Sequence, residues 1–198
     1  MLNAAETALR ENGPTDNRHC AAHIQVIHPE DVGRLTTTSL LANAQPLWAC
    51  NDPQMAELTL PFLGPERSAW QYPFANLARA GARLCFGSDW PVSTPNVMAE
   101  IHVAVNRTVP PGYLYGGGDI EEVPLLPEEC ISLEAAIEGF TMGTAYLNHL
   151  DGETGSITVG KCADLAVLDR DVFAIATAEI GAVGVDLTFA DGEIVHGA

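Results

Sequence analysis

Asp89 closes the most chemically suggestive stretch of the chain, Ala82-Arg83-Leu84-Cys85-Phe86-Gly87-Ser88-Asp89-Trp90-Pro91. Leu84, Cys85 and Phe86 read as a short buried strand. Gly87 and Ser88 are small enough to let another group approach the backbone. Pro91 stops further ladder pairing. A carboxylate at the tip of a buried strand is costly unless it is paired, hydrogen-bonded or bound to a metal. The alternative is an acid that caps the next turn. His23 is the second candidate, in the β-rich run Ala21-Ala22-His23-Ile24-Gln25-Val26. A neutral imidazole is a good ligand for zinc or a similar divalent ion; the alternative is a histidine satisfied by the core. His19 lies four residues earlier, but the pair lacks the Glu of a zinc-protease helix and sits on a strand-like segment. His28, His102, His149 and His196 have no ligand spacing. Arg107 could reach a polar substrate, yet its place after a helix reads as solvated.

The elements that must position these groups alternate at first. Residues 1–13 read as a helix closed at Gly13. Cys20–Ile27 reads as a strand, followed by a helix opened by Pro29 with Glu30 and Asp31 in its first turn. Ser39–Ala44 is a second buried strand, and residues 50–68 read as irregular and rich in Pro. A helix is expected over Tyr72–Ala80, the strand ending at Asp89 follows, and Val97–Val105 is again helical. The segment from Pro110 to Pro127, with Gly116-Gly117-Gly118, reads as a long loop. It neither follows a strand nor opens a helix, so it is no phosphate loop. Ser132 caps a helix running to about Leu147. Beyond residue 150 only strands are expected: Ser156–Val159, Asp164–Leu168, Val183–Phe189 and Glu193–Val195, with Asp191-Gly192 as a hairpin signal. The chain thus divides into an α/β part, 1–150, built of βα units of a parallel sheet, and an all-strand part, 151–198.

Several pieces line up in order: Arg18-His19-Cys20-Ala21-Ala22-His23, Ala44-Gln45-Pro46, Gly87-Ser88-Asp89-Trp90-Pro91-Val92, Ser132-Leu133-Glu134-Ala135-Ala136, and Gly155 through Leu168 with its Gly160-Lys161-Cys162-Ala163-Asp164 core. On these the sequence resembles the C-terminal part of metal-dependent amidohydrolases, specifically the YtcJ-like branch that includes the formamide deformylases. The resemblance implies the C-terminal part of a (β/α)8 TIM-type barrel, strands six to eight, followed by strands of a small composite β-sandwich domain. It implies a divalent metal, with zinc the expected ion, that activates water to cleave a C–N bond in a small-molecule amide or formamide-like substrate. A cyclic amide is a further possibility within the same superfamily. His23 matches the family's strand-six ligand. Asp89 matches the strand-eight Asp, which contacts the metal, takes a proton from the water and delivers it to the leaving nitrogen. The other ligands have no counterpart, since there is no His-x-His in the 198 residues. Ala22 also stands where the family commonly has Glu, removing an acceptor that would orient the ligand. The expected site is therefore incomplete. Two readings follow: a portion of an enzyme that needs a complementing N-terminal half, or a non-catalytic remnant that folds by self-association.

Composition narrows the partners. With 47% apolar residues the chain is globular. A formal net charge of -17 argues against nucleic acid and anionic membrane surfaces. No apolar run is long enough to span a bilayer, and the start lacks the features of a signal peptide. The five cysteines are odd in number and widely spaced, with no C-x-x-C pair; Cys20, Cys85 and Cys162 read as small core residues. This favours the cytoplasm. Cutting a barrel before strand six would expose Ile24, Val26, Leu40 and Leu84, so a homo-oligomer is expected.

Overall fold

The computed structural model describes residues 1–113 and 123–197. The Gly116-Gly117-Gly118 segment lies outside the described residues. Three short strands, β1 (Cys20–Ala22), β2 (Leu41–Ala44) and β3 (Leu84–Phe86), form a parallel sheet in sequential order. Cys20 pairs with Leu41 and Ala44 with Phe86, in unbroken register. Helices α1 (Leu2–Asn12), α2 (Pro29–Thr37), α3 (Leu60–Ser68), α4 (Phe74–Arg79) and α5 (Val97–Asn106) are interleaved with these strands or follow them. Because side chains alternate across a strand, Ala21, Ala42 and Leu84 share one face. There they pack with Val32 and Leu35 of α2 and Leu77 of α4. A second cluster gathers Phe74, Phe86, Ile101 and Val103 with Ile131 and Ala136.

The strand expected over Cys20–Ile27 is shorter than its composition suggests. The ladder stops at Ala22 because His23 and Ile24 both turn into the left-handed region, at φ 64° and 52°. Val26 meets the chain again only through an isolated bridge to Gln71. Residues 50–68, expected to be irregular, are mostly helical. Gln54–Thr59 forms a π-helical turn leading into α3, which is broken at Gly64. Asp52 Oδ1 accepts the Met55 amide at 2.7 Å and so caps this segment. Pro53 and Pro61 sit at helix starts, where proline is tolerated; they are not breakers. The helix expected over Tyr72–Ala80 begins only at Phe74.

Helices α6 (Leu133–Glu138) and α7 (Thr144–Leu147) form one helical stretch joined by a π-helical turn at Gly139–Gly143. This stretch lies directly on β3. Thr144 Oγ1 donates to the Phe86 carbonyl at 2.7 Å. A Cβ at Gly139 would fall 2.4 Å from the Phe86 ring, and one at Gly143 would fall 2.2 Å from the Leu84 carbonyl oxygen. Only glycine permits this approach.

A second, antiparallel sheet contains β4 (Leu165–Leu168), β5 (Val185–Ala190) and β6 (Glu193–His196). Asp191 and Gly192, at φ 50° and 82°, make the tight turn between the last two strands. The strand expected at Ser156–Val159 does not form. With no pairing partner among the described residues, Ile157 and Val159 are left 92% and 105% exposed. The expected strand start at Val183 is also late, because Val183 docks in the main core beside Val172 and Ile180. Cys162 is exposed rather than buried. Leu40, expected to be laid bare, is buried under α2 and α4, whereas Val26 is 40% exposed.

Three polar side chains are buried on or beside α5. Arg107, expected to be solvated, is fully buried. Its Nε donates to Leu125 O at 2.7 Å and its Nη1 to Tyr72 O at 3.1 Å, and its guanidinium stands 5.3 Å from the Phe74 ring centroid. Left-handed at φ 59°, it also closes α5. His102 contacts Thr108 Oγ1 at 3.0 Å, and burial pushes its imidazole down to about 4. Glu100 is fully buried. Among the described residues neither of its oxygens has a protein partner of full hydrogen-bond geometry, although the nearby Leu47 amide favours its charged form. Desolvation pushes this carboxyl up to about 8.

Two expectations follow. Gly143→Ala should lower the unfolding free energy by about 1–3 kcal/mol through overpacking. Gly33→Ala in α2, where an added Cβ meets nothing within 4 Å, should leave it unchanged or raise it by up to about 1 kcal/mol. Denaturant midpoints compare the two. The second concerns pH. Glu100 is raised from 4.5 to about 8, so its contribution is full below 4.5 and is lost as pH climbs through 8. His102 is depressed from 6.5 to about 4, so its contribution is lost only as pH falls between those values. Between pH 6.5 and 8 the Glu100 effect therefore dominates this pair. Stability should decline over that window in the natural protein, and Glu100→Gln should flatten the decline in a pH series of denaturation curves.

Candidate functional site

His23 and Asp89 leave the two outer strands of the parallel sheet at its carboxyl edge. His23 still donates its backbone N–H to Asn43 O at 3.0 Å, then turns the chain at φ 64°. Beyond β3 the Gly87 amide donates to Ala44 O at 3.2 Å, and Asp89 turns at φ 59°. The Asp89 carbonyl accepts the Val92 amide at 2.8 Å, and Ser88 Oγ accepts the Trp90 amide at 3.2 Å. Buried Ser93 donates its hydroxyl back to Ser88 O. Left-handed backbone at residues other than glycine costs on the order of 1–3 kcal/mol each. Here the surrounding turn bonds hold it in place.

Both residues line one cavity of about 260 Å³. Asp52 supplies a second carboxylate to it, and Trp48, Met55, Tyr72 and Val92 its apolar wall. Tyr72 lies in the cavity wall, buried at φ 45°, and its phenol is pushed well above the usual range by desolvation. Its amide donates to Gln25 O at 2.8 Å, and Arg107 holds its carbonyl from behind. Gln25 Nε2 donates to Gln71 Oε1 at 3.1 Å, and Gln71 Nε2 approaches Met55 Sδ at 3.4 Å. Trp90, by contrast, is largely exposed. Cys50 is buried, donates to Leu47 O, and is pushed up to about 12 by burial, so it is a protonated thiol at neutral pH. Asp89 also opposes ionisation of buried Glu100, which places that acid within electrostatic reach of the strand tip.

Sequence reasoning missed Asp52 and Glu100, and it placed Arg107 in solvent, whereas the side chain is buried behind the cavity wall. Asp52 carried one usable signal, an acid three residues before Met55 at the start of a helical segment. A wider groove of about 560 Å³ runs along the free edge of β1; it includes His23, Ile24 and Val26 but not Asp89.

The donor set does not fit a complete metal site. Among the described residues no group of three or more His, Cys, Asp or Glu stands close enough together to hold an ion. His23 and Asp89 make two donors, and zinc ordinarily takes four ligands. Among the same residues no helix is long and apolar enough to cross a membrane.

Comparison with known proteins places the chain. LONG AFTER FAR-RED 3 of Arabidopsis thaliana is 31% identical over 172 residues, covering 86% of this chain and 27% of that protein. The N-substituted formamide deformylase of Arthrobacter pascens is 32% identical over 121 residues, covering 61% and 20%. The amidohydrolase named YtcJ from Bacillus subtilis (strain 168) is 27% identical over 196 residues, covering 99% and 35%. The chain thus spans about a third or less of each relative's length. Among solved structures, an uncharacterised metal-dependent hydrolase from Pyrococcus horikoshii OT3 superposes with a TM-score of 0.65 at 21% identity, covering 89% of this chain and 33% of that one. Atrazine chlorohydrolase TrzN from Arthrobacter aurescens TC1, complexed with zinc, gives 0.61 at 18% identity, covering 96% and 38%. These likenesses establish a shared fold. The sequence profile of the amidohydrolase family matches residues 1–196, and the chain belongs to that family, on its YtcJ-like branch.

Proposed function

We infer that the chain is the C-terminal portion of a metal-dependent hydrolase acting on the C–N bond of an amide or formamide-like substrate. The observation that carries this reading is the convergence of His23 and Asp89, from separate strands, on one cavity. A relative that deformylates N-substituted formamides and a zinc-bound structural neighbour support the choice of bond and of ion. In this reading β1, β2 and β3 are barrel strands six, seven and eight, residues 1–150 form the barrel part, and residues 151–198 are strands of the sandwich domain. His23 and Asp89 are two ligands of a divalent ion, zinc by preference, whose remaining ligands come from a complementing N-terminal half. The Asp89 carboxylate accepts the proton of the attacking water and returns it to the leaving nitrogen. A carboxylate suits both steps because it is ionised near neutral pH yet can be protonated in turnover. A cytoplasmic setting and a small-molecule substrate go with this assignment.

A second reading, a non-catalytic remnant that self-associates, draws on the incomplete donor set and on Ala22 beside His23. Complementation separates the two. The chain alone should carry well below one equivalent of divalent metal by elemental analysis. Mixed with a polypeptide bearing family strands one to five, it should form a stable complex, gain a full equivalent and hydrolyse amides. Asp89→Asn should then lower turnover by about a hundredfold to ten-thousandfold with the complex intact. Failure to assemble, with a self-associated chain in sedimentation, would favour the remnant.

A further inference from the structure

The cavity shared by His23 and Asp89 holds a carboxylate that the proposed hydrolysis does not use. Asp52 is fixed to the cavity wall because its Oδ1 accepts the Met55 amide at 2.7 Å. That bond engages one oxygen, and an ionised carboxylate has a second oxygen and further lone pairs to offer. The Asp52 charge is felt inside the site, where it opposes ionisation of both Tyr72 and Cys50. Among the described residues no Lys or Arg lines the cavity. Arg107 stands behind Tyr72, committed to two backbone carbonyls. Trp48 and Tyr72 add aromatic surface, which attracts cations at its faces, and Met55 and Val92 add apolar area.

Resting on the assignment of this cavity as the substrate site, the geometry points to a substrate that carries a cation: an amide bearing an ammonium group, with its apolar part against Trp48 and Tyr72 and the ammonium against Asp52. An ammonium meeting a carboxylate forms a charge-assisted hydrogen bond. A substrate carboxylate in the same place would face Asp52 and Asp89 together, and such like-charge contact is how a site rejects the wrong ligand.

Binding can be read on the 198-residue chain itself, free of metal after chelation, without any turnover. Benzylammonium, benzyl alcohol and phenylacetate are similar in size and differ in charge. Each would be titrated while the indole N–H of Trp48 is followed by nuclear magnetic resonance at physiological ionic strength. Benzylammonium should bind about fivefold tighter than benzyl alcohol, the scale of a part-exposed ion pair, and phenylacetate should bind weakest. Asp52→Asn keeps an oxygen to cap Met55, so the fold should survive; it should bring cation and alcohol to within about twofold of each other. Glu193→Gln, an exposed change on β6, should leave the ratio as it was and so exclude the general negative charge of the chain as the cause. Equal or tighter binding of phenylacetate, a ratio indifferent to Asp52→Asn, or no binding of any of the three would overturn the inference. A complemented enzyme that fails to hydrolyse amides would instead count against the functional reading alone.

Discussion

In a parallel sheet every strand ends at the same edge, and the site depends on that constraint. Residues 23 and 89 are sixty-six positions apart in the chain. They reach one cavity because β1 and β3 run the same way on either side of β2. The ladder also ends just before each of the two residues. His23 and Asp89 both adopt left-handed backbone just past their strands, which turns each side chain away from the alternating pattern of the sheet. That conformation is held by neighbours: the Asn43 carbonyl for one, and the Ser88, Val92 and Ser93 turn for the other.

The sheet in turn depends on how closely helices can lie against it. Gly139 and Gly143 let the helical stretch from Leu133 to Leu147 touch Phe86 and the Leu84 carbonyl. Behind the cavity, Arg107 joins the end of α5 to Tyr72 and to Leu125. Removing a guanidinium from water is costly unless its donors are used; here two of the five N–H groups go to backbone carbonyls and the Phe74 ring lies beside the guanidinium. One amino group, Nη2, remains without a protein partner among the described residues. Glu100 meets the same penalty differently. With no strong partner for its carboxylate among the described residues, it is pushed by burial toward keeping its proton at neutral pH.

The second sheet shows the reverse situation. Its strands are largely exposed, and it meets the rest of the molecule through Val172, Ile180 and Val183 and through a bond from Asn106 to Thr177 O at 2.8 Å. Among the described residues no strand pairs with the outer edge of β1, and the side chains of Ile157 and Val159 are exposed. Surfaces of this kind favour association.

Local chemistry made much of this molecule legible in its sequence. Short apolar runs ending in small residues marked β2 and β3, Ser132 and the Asp191-Gly192 pair marked a helix start and a hairpin, and ordered motifs from Arg18 to Leu168 marked the family. His23 and Asp89 stood out because an imidazole and a carboxylate at strand tips are suited to metal and proton chemistry. What the sequence alone did not decide was whatever depends on distant neighbours. Composition favoured a strand over Cys20–Ile27, but left-handed turns at His23 and Ile24 ended it at Ala22. Residues 50–68 read as irregular and rich in Pro, yet Pro53 and Pro61 stand at helix starts and Pro65 follows the break at Gly64. Ile157 and Val159 had strand composition and found no partner to pair with. Arg107 looked like a surface residue, and only tertiary packing, by setting two carbonyls and the Phe74 ring around it, made its burial possible. The same packing brought Asp52 to the cavity of His23 and Asp89, because charge and proximity across the chain are fixed only once the strands are aligned.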